Sequence, residues 1–341
     1  GLRHIERNSN VGGADYAANV AMIRIGAQSA AEYAKTALPG AVGRSEFYVG
    51  ADVGHASMVT TLDGPRGSTG TNQASFGEDG FAGGVFVGWR RQVNDARFGI
   101  EAGAELADVE WIHNGDRTFS VKRSDLYSLS AIAGLDLSGG SFAYMRGGVV
   151  SANVETNYAE GVNSFSSEDR EIGARLGVGI EAPVTAGLSA RMEYVVTAWE
   201  DHNAGVGGTL DNFADAEGMA RLGLIWRFGA DAEIPESEPV DFGGFYAGAL
   251  LGHGALMSGN TGERNTFTLD ADRAGFGAGF GVVAGYGRTF DNVYVGGEVD
   301  AEISSLNWTQ ERSPTGRVYS VEKTHTLGAS LRLGYVVNDG L

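Results

Sequence analysis

Residues 47–55 read FYVGADVGH, and in this stretch apolar side chains alternate with small or polar ones. One face of the segment is apolar and carries Phe47, Val49, Ala51 and Val53. The opposite face carries Tyr48, Gly50, Asp52 and Gly54. A period of two residues is typical of a β-strand whose two faces meet different surroundings. The segment therefore predicts a strand with one apolar and one polar face.

The same alternation recurs in seven further segments, and together they predict eight strands between Glu46 and Gly229. Short connections are expected at 93–95, 138–140 and 185–187. Long polar connections are expected at 60–79, 113–119, 158–169 and 200–217. Alternate connections of an up-and-down barrel lie at opposite ends, and tight turns at one end with long loops at the other are typical of outer-membrane barrels. The sequence thus predicts an all-β, antiparallel barrel over residues 45–229.

The pattern restarts after an acidic, proline-containing linker over residues 230–241. Residues 245–253 read FYAGALLGH, and Glu298, Glu302 and Trp308 follow at the spacing of Glu101, Glu105 and Trp111. Residues 242–341 therefore predict the first four strands of a second copy. A half copy indicates a longer natural chain, two chains that share a barrel, or twelve strands that close as one. The first is favoured, because the repeat stops where a turn belongs.

The first 44 residues lack the two-residue period. Asp15 is placed to cap a helix through Ala17–Leu38, and Pro39-Gly40 is placed to end it. We therefore expect a short helical segment before the barrel.

The polar faces of the barrel strands carry carboxylates and arginines in balance: Asp52, Glu101, Glu105, Glu193, Arg146, Arg175, Arg191 and Arg221. Mixed charges of this kind are expected in an interior, where each charge needs a partner, and arginine can bond carboxylates through two N–H groups. Aromatic residues cluster near strand ends, as a membrane-interface girdle requires: Trp89, Phe98, Trp226 and Phe228. A soluble barrel is the alternative, with every face inverted.

Composition excludes several classes of protein. The net charge is −18, which argues against a nucleic-acid partner. Cysteine is absent, so no disulfide framework or thiolate metal site is expected. No apolar run reaches the length of about 18 residues that a membrane helix needs.

The segments FYVGADVGH, LSARMEYVV at 188–196 and GMARLGLIWRFG at 218–229 resemble the outer-membrane β-barrel superfamily. They most resemble its small porin-like and outer-membrane-protein-A-like members, which have eight strands. The resemblance implies a bacterial outer-membrane location, with lipid as the partner, in one full and one half tandem copy. Phe228 stands where members of this family end on an aromatic residue that resembles an assembly signal, but here more chain follows.

The leading functional hypothesis is a non-enzymatic protein with a structural or surface-display role in the cell envelope. Eight strands leave an interior that side chains can fill, so ion pairs are expected to plug the lumen. Such a protein needs no cofactor, and a homo-oligomer or a larger envelope assembly is its expected context. The alternatives are a porin-like channel, with twelve or more strands in one wider barrel, and a loop-mediated adhesin.

An enzymatic role is the least favoured hypothesis. Its candidates are His113 with Asp116, and His202 with Asp201 and Asp211. Ser124 with Asp125 lacks a histidine nearby in sequence. The acidic residues between 201 and 215 lack the spacing of a calcium loop, so no metal site is predicted.

Overall fold

A computed structural model gives the fold of the chain. The structure describes residues 3–9, 14–28, 45–66, 70–115, 117–137, 140–185, 187–204, 211–228, 243–264, 267–291, 293–313 and 316–335. The acidic linker lies outside the described residues. Within them, no helix is long and apolar enough to cross a membrane.

Fifteen β-strands make up the described part of the chain. They are β1 (Arg3–Ser9), β2 (Ala14–Gln28), β3 (Ser45–Arg66), β4 (Gly70–Val93), β5 (Ala96–Asn114), β6 (Thr118–Asp136), β7 (Phe142–Glu160), β8 (Asn163–Thr185), β9 (Leu188–Trp199), β10 (His202–Ala204), β11 (Asp211–Phe228), β12 (Gly244–Arg264), β13 (Phe267–Phe290), β14 (Val293–Arg312) and β15 (Arg317–Tyr335). Described pairs are antiparallel throughout, which confirms the all-β prediction.

Strands β3 to β11 form a closed circuit of hydrogen-bonded neighbours, here called the ring. From β3 to β9, each strand pairs with the next along the chain. β9 then pairs with β11, and β11 closes the circuit by pairing with β3 over residues 47–63. β10 extends the line of β9 and pairs with the start of β11. One end of the ring, the turn end, has tight connections such as Val93 to Ala96, where Asn94 takes a left-handed backbone with φ 55°. Asparagine is among the few residues that adopt this conformation easily.

At the opposite end of the ring, here called the loop end, the strands extend into segments that were predicted to be long loops. β3 continues to Arg66 and β4 begins at Gly70, so most of the expected connection 60–79 is paired strand. Likewise β7 and β8 stay paired to Glu160 and Asn163. Polar composition suggested loops here, but the ladder between neighbouring strands satisfies the backbone groups beyond the apolar band.

The remaining strands form the second sheet, in the order β1, β2, β12, β13, β14, β15. The helix predicted over Ala17–Leu38 is wrong for its first part, because Ala14–Gln28 is strand β2, paired with β12 over residues 248–262. Residues 29–44 lie outside the described residues. Pairing along the edge of β12 outweighs the helix preference of this alanine-rich segment, whose apolar stripe is weak, since propensity is easily overridden by tertiary context.

The ring and the second sheet join at the loop end. β4 and β5 are paired from the turn end as far as the pair formed by Phe81 and Asp108. Beyond that point β4 pairs with β14 at residues 72–74, and β5 pairs with β13 at residues 113–114. The two sheets are therefore continuous at the loop end and separate at the turn end.

The two faces of the ring differ as the alternation requires. Large apolar side chains are exposed around its outside, among them Val53, Phe81, Leu106, Leu176 and Leu222. Soluble monomeric proteins rarely expose such a band to water, whereas a lipid-facing surface requires it.

Candidate functional site in the ring interior

The ring interior collects the eight charged residues predicted for a polar face. All are buried: Asp52, Glu101, Glu105, Arg146, Arg175, Arg191, Glu193 and Arg221. They come from β3, β5, β7, β8, β9 and β11, because each occupies an inward position in the two-residue period of its strand.

Arg146 lies at the centre of this group. Its Nη1 is 3.0 Å from Glu101 Oε1 and 3.1 Å from Glu193 Oε1, and its Nη2 donates to Ser130 Oγ at 2.8 Å. Arg191 Nη1 lies 2.8 Å from Glu101 Oε2. One guanidinium thus links carboxylates from β5 and β9, across the interior of the ring.

A second group of pairs lies closer to the loop end. Arg175 Nη1 and Arg221 Nη1 each lie 3.2 Å from Glu105 Oε2. Arg221 also contacts Glu193, and its Nη1 lies 3.7 Å from Asp52 Oδ2. These contacts join the two groups into one charged network that spans the lumen.

The structure adds interior charges that the sequence did not single out. Arg90 pairs with Glu181 at 2.6 Å near the turn end, and Glu181 also accepts from Arg191 at 2.9 Å. Arg123 pairs with Glu217 near the loop end. Glu181 lies on the polar face predicted for its strand, whereas Glu217 lies in the predicted connection 200–217, where β11 continues with the same inward period.

Arg123 could not be found by alternation. In β6 the outward residues are Tyr127 and Leu129, and a strict two-residue period would place Arg123 outside as well. The register against β7 shifts between Arg123 and Leu126. A β-bulge of this kind inserts one residue and reverses the faces beyond it, which turns Arg123 inward.

An aromatic layer lies in the interior between the charges and the loop end. Phe76 stacks on Trp111 with ring centroids 5.0 Å apart, and Trp111 Nε1 donates to Thr60 Oγ1 at 2.7 Å. Phe119 packs against Phe76 and Tyr158. Except for Trp111, these residues lie where polar connections were predicted, so the sequence did not predict the layer.

The candidate enzyme pairs are not assembled as the sequence suggested. His113 is buried between Phe76 and Phe119, and Asp116 lies outside the described residues. Ser124 donates to Asp125, whose carboxylate is held by Arg170 on the exposed surface.

His202 lies with acids other than the predicted ones. Its Nδ1 is 3.0 Å from Glu171 Oε1 and 3.7 Å from Asp215 Oδ2, whereas Asp211 lies against Arg117 at 3.7 Å. Glu171, His202 and Asp215 are here called the rim cluster, which lies at the loop end beyond the apolar band. Burial by itself lowers the pKa of His202, but the close contact with the Glu171 carboxylate and the charge of Asp215 outweigh it and raise that pKa. Burial raises the pKa of the Asp215 carboxyl.

The four aromatic residues predicted for a girdle lie together at the turn end. Phe228 pairs with Phe47, Phe47 pairs with Trp89, and Trp226 pairs with Val49 across neighbouring strands. Phe98, Trp226 and Phe228 are exposed on the outside of the ring, and Trp89 is partly exposed.

An apolar outside, a charged interior and antiparallel closure define the class of integral β-barrel proteins of the bacterial outer membrane. The model of the OmpA-like transmembrane domain family matches residues 43–232. The chain belongs to this family, and its location is the bacterial outer membrane.

The chain is also similar to several named proteins and solved structures. The 25 kDa outer-membrane immunogenic protein of Brucella canis is 27% identical over 152 residues, which are 44% of this chain and 67% of that protein. Neisserial surface protein A is 20% identical, with 53% of this chain and 97% of that chain covered and a TM-score of 0.30. The N-terminal barrel domain of Pseudomonas aeruginosa OprF is 17% identical, with 51% and 97% covered and a TM-score of 0.26.

Proposed function

We propose that this chain is a non-enzymatic outer-membrane barrel with a structural or surface-display role, and that interior ion pairs close its lumen to solutes. The observation that carries the proposal is the bridge from Arg146 to both Glu101 and Glu193. An eight-stranded barrel has an interior just wide enough for side chains, so bridging pairs leave little room for water. The aromatic layer around Trp111 supports closure at the loop end.

The same proposal assigns parts of the chain. The ring is the full eight-stranded barrel, residues 230–241 are a linker, and the second sheet is a half copy joined by β2. Trp89, Phe98, Trp226 and Phe228 form the aromatic girdle at the turn end. The lipid of the outer membrane surrounds the exposed apolar band, and the tandem arrangement fits a homo-oligomer or a larger envelope assembly. The Brucella relatives are named outer-membrane immunogenic proteins, which supports surface exposure.

Conductance in planar lipid bilayers tests closure of the lumen. We expect the folded full chain to give no steady current, after its folding has been checked by the gel-mobility shift between unboiled and boiled samples. Arg170→Ala is the matched control, because it removes a guanidinium from a surface pair with Asp125 and leaves the interior intact. Long-lived, uniform open channels from the unmodified chain would contradict the proposal.

The second candidate is a porin-like channel, and the junction of the two sheets favours it. Beyond Phe81 and Asp108, β4 and β5 pair with β14 and β13 instead of with each other. Pairing of this kind joins the strands of the two sheets, and a barrel with more strands has the wider interior that a channel needs. The same recording separates the two functions, since a channel through the joined sheets gives a steady current that Arg170→Ala leaves unchanged.

A further inference from the structure

The rim cluster brings together three side chains that are far apart in sequence. Glu171 comes from β8, His202 from β10 and Asp215 from β11. β10 pairs with the start of β11, and Glu200 N donates to Ile172 O at 3.0 Å, which ties β10 to β8. One potential ligand atom from each side chain lies within 4.8 Å of the other two.

Each side chain of this cluster has one buried polar atom without a hydrogen-bond partner. Among the described residues, Asp215 Oδ2, Glu171 Oε2 and His202 Nδ1 are buried without a hydrogen bond of acceptable geometry. The Asp215 side chain is 0% exposed, and that of Glu171 is 9% exposed. A buried carboxylate oxygen without a donor is unfavourable, so the site is incomplete as it stands.

Neighbouring side chains aim these atoms inward. Trp111 Nε1 donates to Thr60 Oγ1, so the Thr60 hydroxyl donates to Asp215 Oδ1 and leaves Oδ2 toward His202. Thr156 Oγ1 lies 3.3 Å from His202 Nε2 and can accept its proton. In that tautomer Nδ1 turns its lone pair toward two carboxylates. A hydrogen bond from the other ring nitrogen is what orients a metal-binding imidazole in proteins.

The charges around the cluster also favour a cation. Arg123, the nearest buried guanidinium, is paired with Glu217 and lies over the Trp199 ring at 4.1 Å. Asp201 adds a further negative charge on the chain before β10. Two carboxylates therefore face the His202 ring, and Arg123 acts on Asp215 only through space because its ion pair is with Glu217.

We propose that the rim cluster binds one divalent transition-metal ion, with Zn²⁺ as the ion that fits best. Ligands at about 2.0–2.1 Å from a tetrahedral zinc lie about 3.3 Å apart. The observed separations from His202 Nδ1, 3.0 Å to Glu171 and 3.7 Å to Asp215, bracket this value. One imidazole nitrogen with two carboxylates suits zinc, whereas calcium takes six to eight oxygen ligands. The His202 side chain is 19% exposed, so a water molecule can supply the fourth ligand.

Isothermal titration of the folded, chelator-treated full chain with zinc chloride tests the site. We expect one zinc ion per chain in the unmodified protein. Glu171→Gln and His202→Gln should each abolish this stoichiometric binding, and Thr156→Val should weaken it about tenfold. Asp201→Asn is the matched control, because it removes a nearby carboxylate outside the cluster, and it should bind like the unmodified chain. The gel-mobility shift confirms that each variant is folded.

Cobalt substitution supplies a readout that does not depend on the variants. We expect visible absorption bands of a four- or five-coordinate Co²⁺ ion from the unmodified chain, with no change when excess calcium is added. Should His202→Gln fail to fold, Glu171→Gln and the cobalt spectrum decide the matter. The proposal is overturned by absence of stoichiometric zinc binding, by zinc affinity that survives both ligand variants, or by displacement of zinc by equimolar calcium.

Discussion

The ring and the second sheet start from the same sequence motif, and they build the same local contacts from it. In the ring, the Tyr48 hydroxyl donates to Glu101 at 2.9 Å. In the second sheet, the Tyr246 hydroxyl donates to Glu298 at the same distance. The tyrosine–carboxylate pair therefore comes from the first strands alone and needs no closed barrel.

A tryptophan contact is repeated in the same way. Trp111 donates to Thr60 at 2.7 Å, and Trp308 donates to Ser258 at 2.9 Å. In both regions the acceptor lies on the first strand of the copy, and the donor lies on the third. The repeat read from the sequence is thus a repeat of specific hydrogen bonds as well as of strands.

The two regions differ in what completes their carboxylates. Glu101 contacts Arg146 and Arg191, which come from β7 and β9 and are almost fully buried. Glu298 contacts Arg332 from the neighbouring β15, and the Arg332 side chain is 45% exposed. The comparison teaches that the buried arginine layer depends on the later strands of the ring, which have no counterpart in the second sheet.

The largest expected effect comes from removing the equivalent carboxylates. Glu101→Ala leaves Arg146 and Arg191 buried without one of their partners, and we expect it to lower the free energy of unfolding by about 3–5 kcal/mol. Glu298→Ala is the matched variant, and about 0–1 kcal/mol is expected because water can solvate Arg332. Urea titration in detergent micelles, followed by tryptophan fluorescence, measures both. Equal losses would show that closure adds nothing to the pairing.

A smaller effect is expected where a glycine lies under each tyrosine. A Cβ at Gly88 would overlap the Tyr48 ring, and a Cβ at Gly285 would overlap the Tyr246 ring. Gly88→Ala should cost about 1–3 kcal/mol through overpacking, since Arg90 lies over the Tyr48 ring and holds it in place. Gly285→Ala should cost less, because Arg332, which lies over the Tyr246 ring, is 45% exposed and can move together with that ring, whereas Arg90 is buried. The same urea titration applies, and a larger loss for Gly285→Ala would contradict this explanation.

These contacts also show how far the sequence alone could reach. The two-residue period is strong enough to place Glu101, Arg146 and Arg191 on inward positions, because one slipped residue would expose them to lipid. It fails at Arg123, where a bulge reverses the faces, and bulges have no simple sequence signal. The strand at Ala14–Gln28 was missed because its partner, β12, is more than two hundred residues away, and local propensity is silent on such pairing.

The junction of the two regions should respond to pH. Glu78 lies on β4 beyond the apolar band, where Asp272 of β13 and Asp79 add to the negative charge. Burial raises the pKa of Glu78 from 4.5 to about 7. Because the folded state holds this proton more tightly than the unfolded state, the contribution of Glu78 to stability is greatest below pH 4.5 and falls as pH rises toward 7.

Glu78→Gln should remove this part of the pH dependence. We expect the variant to gain stability relative to the unmodified chain as pH rises from 4.5 to 7, with no further gain above that range. Urea midpoints at several pH values measure the difference. Glu168→Gln is a suitable control, since Glu168 lies on the exposed part of β8 and is bonded to Asn153. A constant difference across the range would rule out the raised pKa.

The smallest effect concerns a single contact between the outer faces of the two regions. Tyr194 of β9 and His253 of β12 share a hydrogen bond of 2.7 Å, and their rings pack 5.9 Å apart. Tyr194→Phe keeps the ring packing and removes the hydrogen bond, so a loss of about 0.5–1.5 kcal/mol is expected. Because the ring does not need this contact to close, the loss should appear as looser docking of the second sheet.

Limited proteolysis in detergent reports on the docking of the second sheet, because residues 230–241 lie between β11 of the ring and β12 of the second sheet in the sequence. Faster cleavage within residues 230–264 with an unchanged ring is the expected outcome for Tyr194→Phe. Tyr127→Phe, on the outer face of β6, is the control and should leave the cleavage pattern unchanged. Slower refolding of the ring in Tyr194→Phe would instead mean that the second sheet guides closure. The two regions would then form one folding unit, and their different interiors would be successive layers of the same barrel.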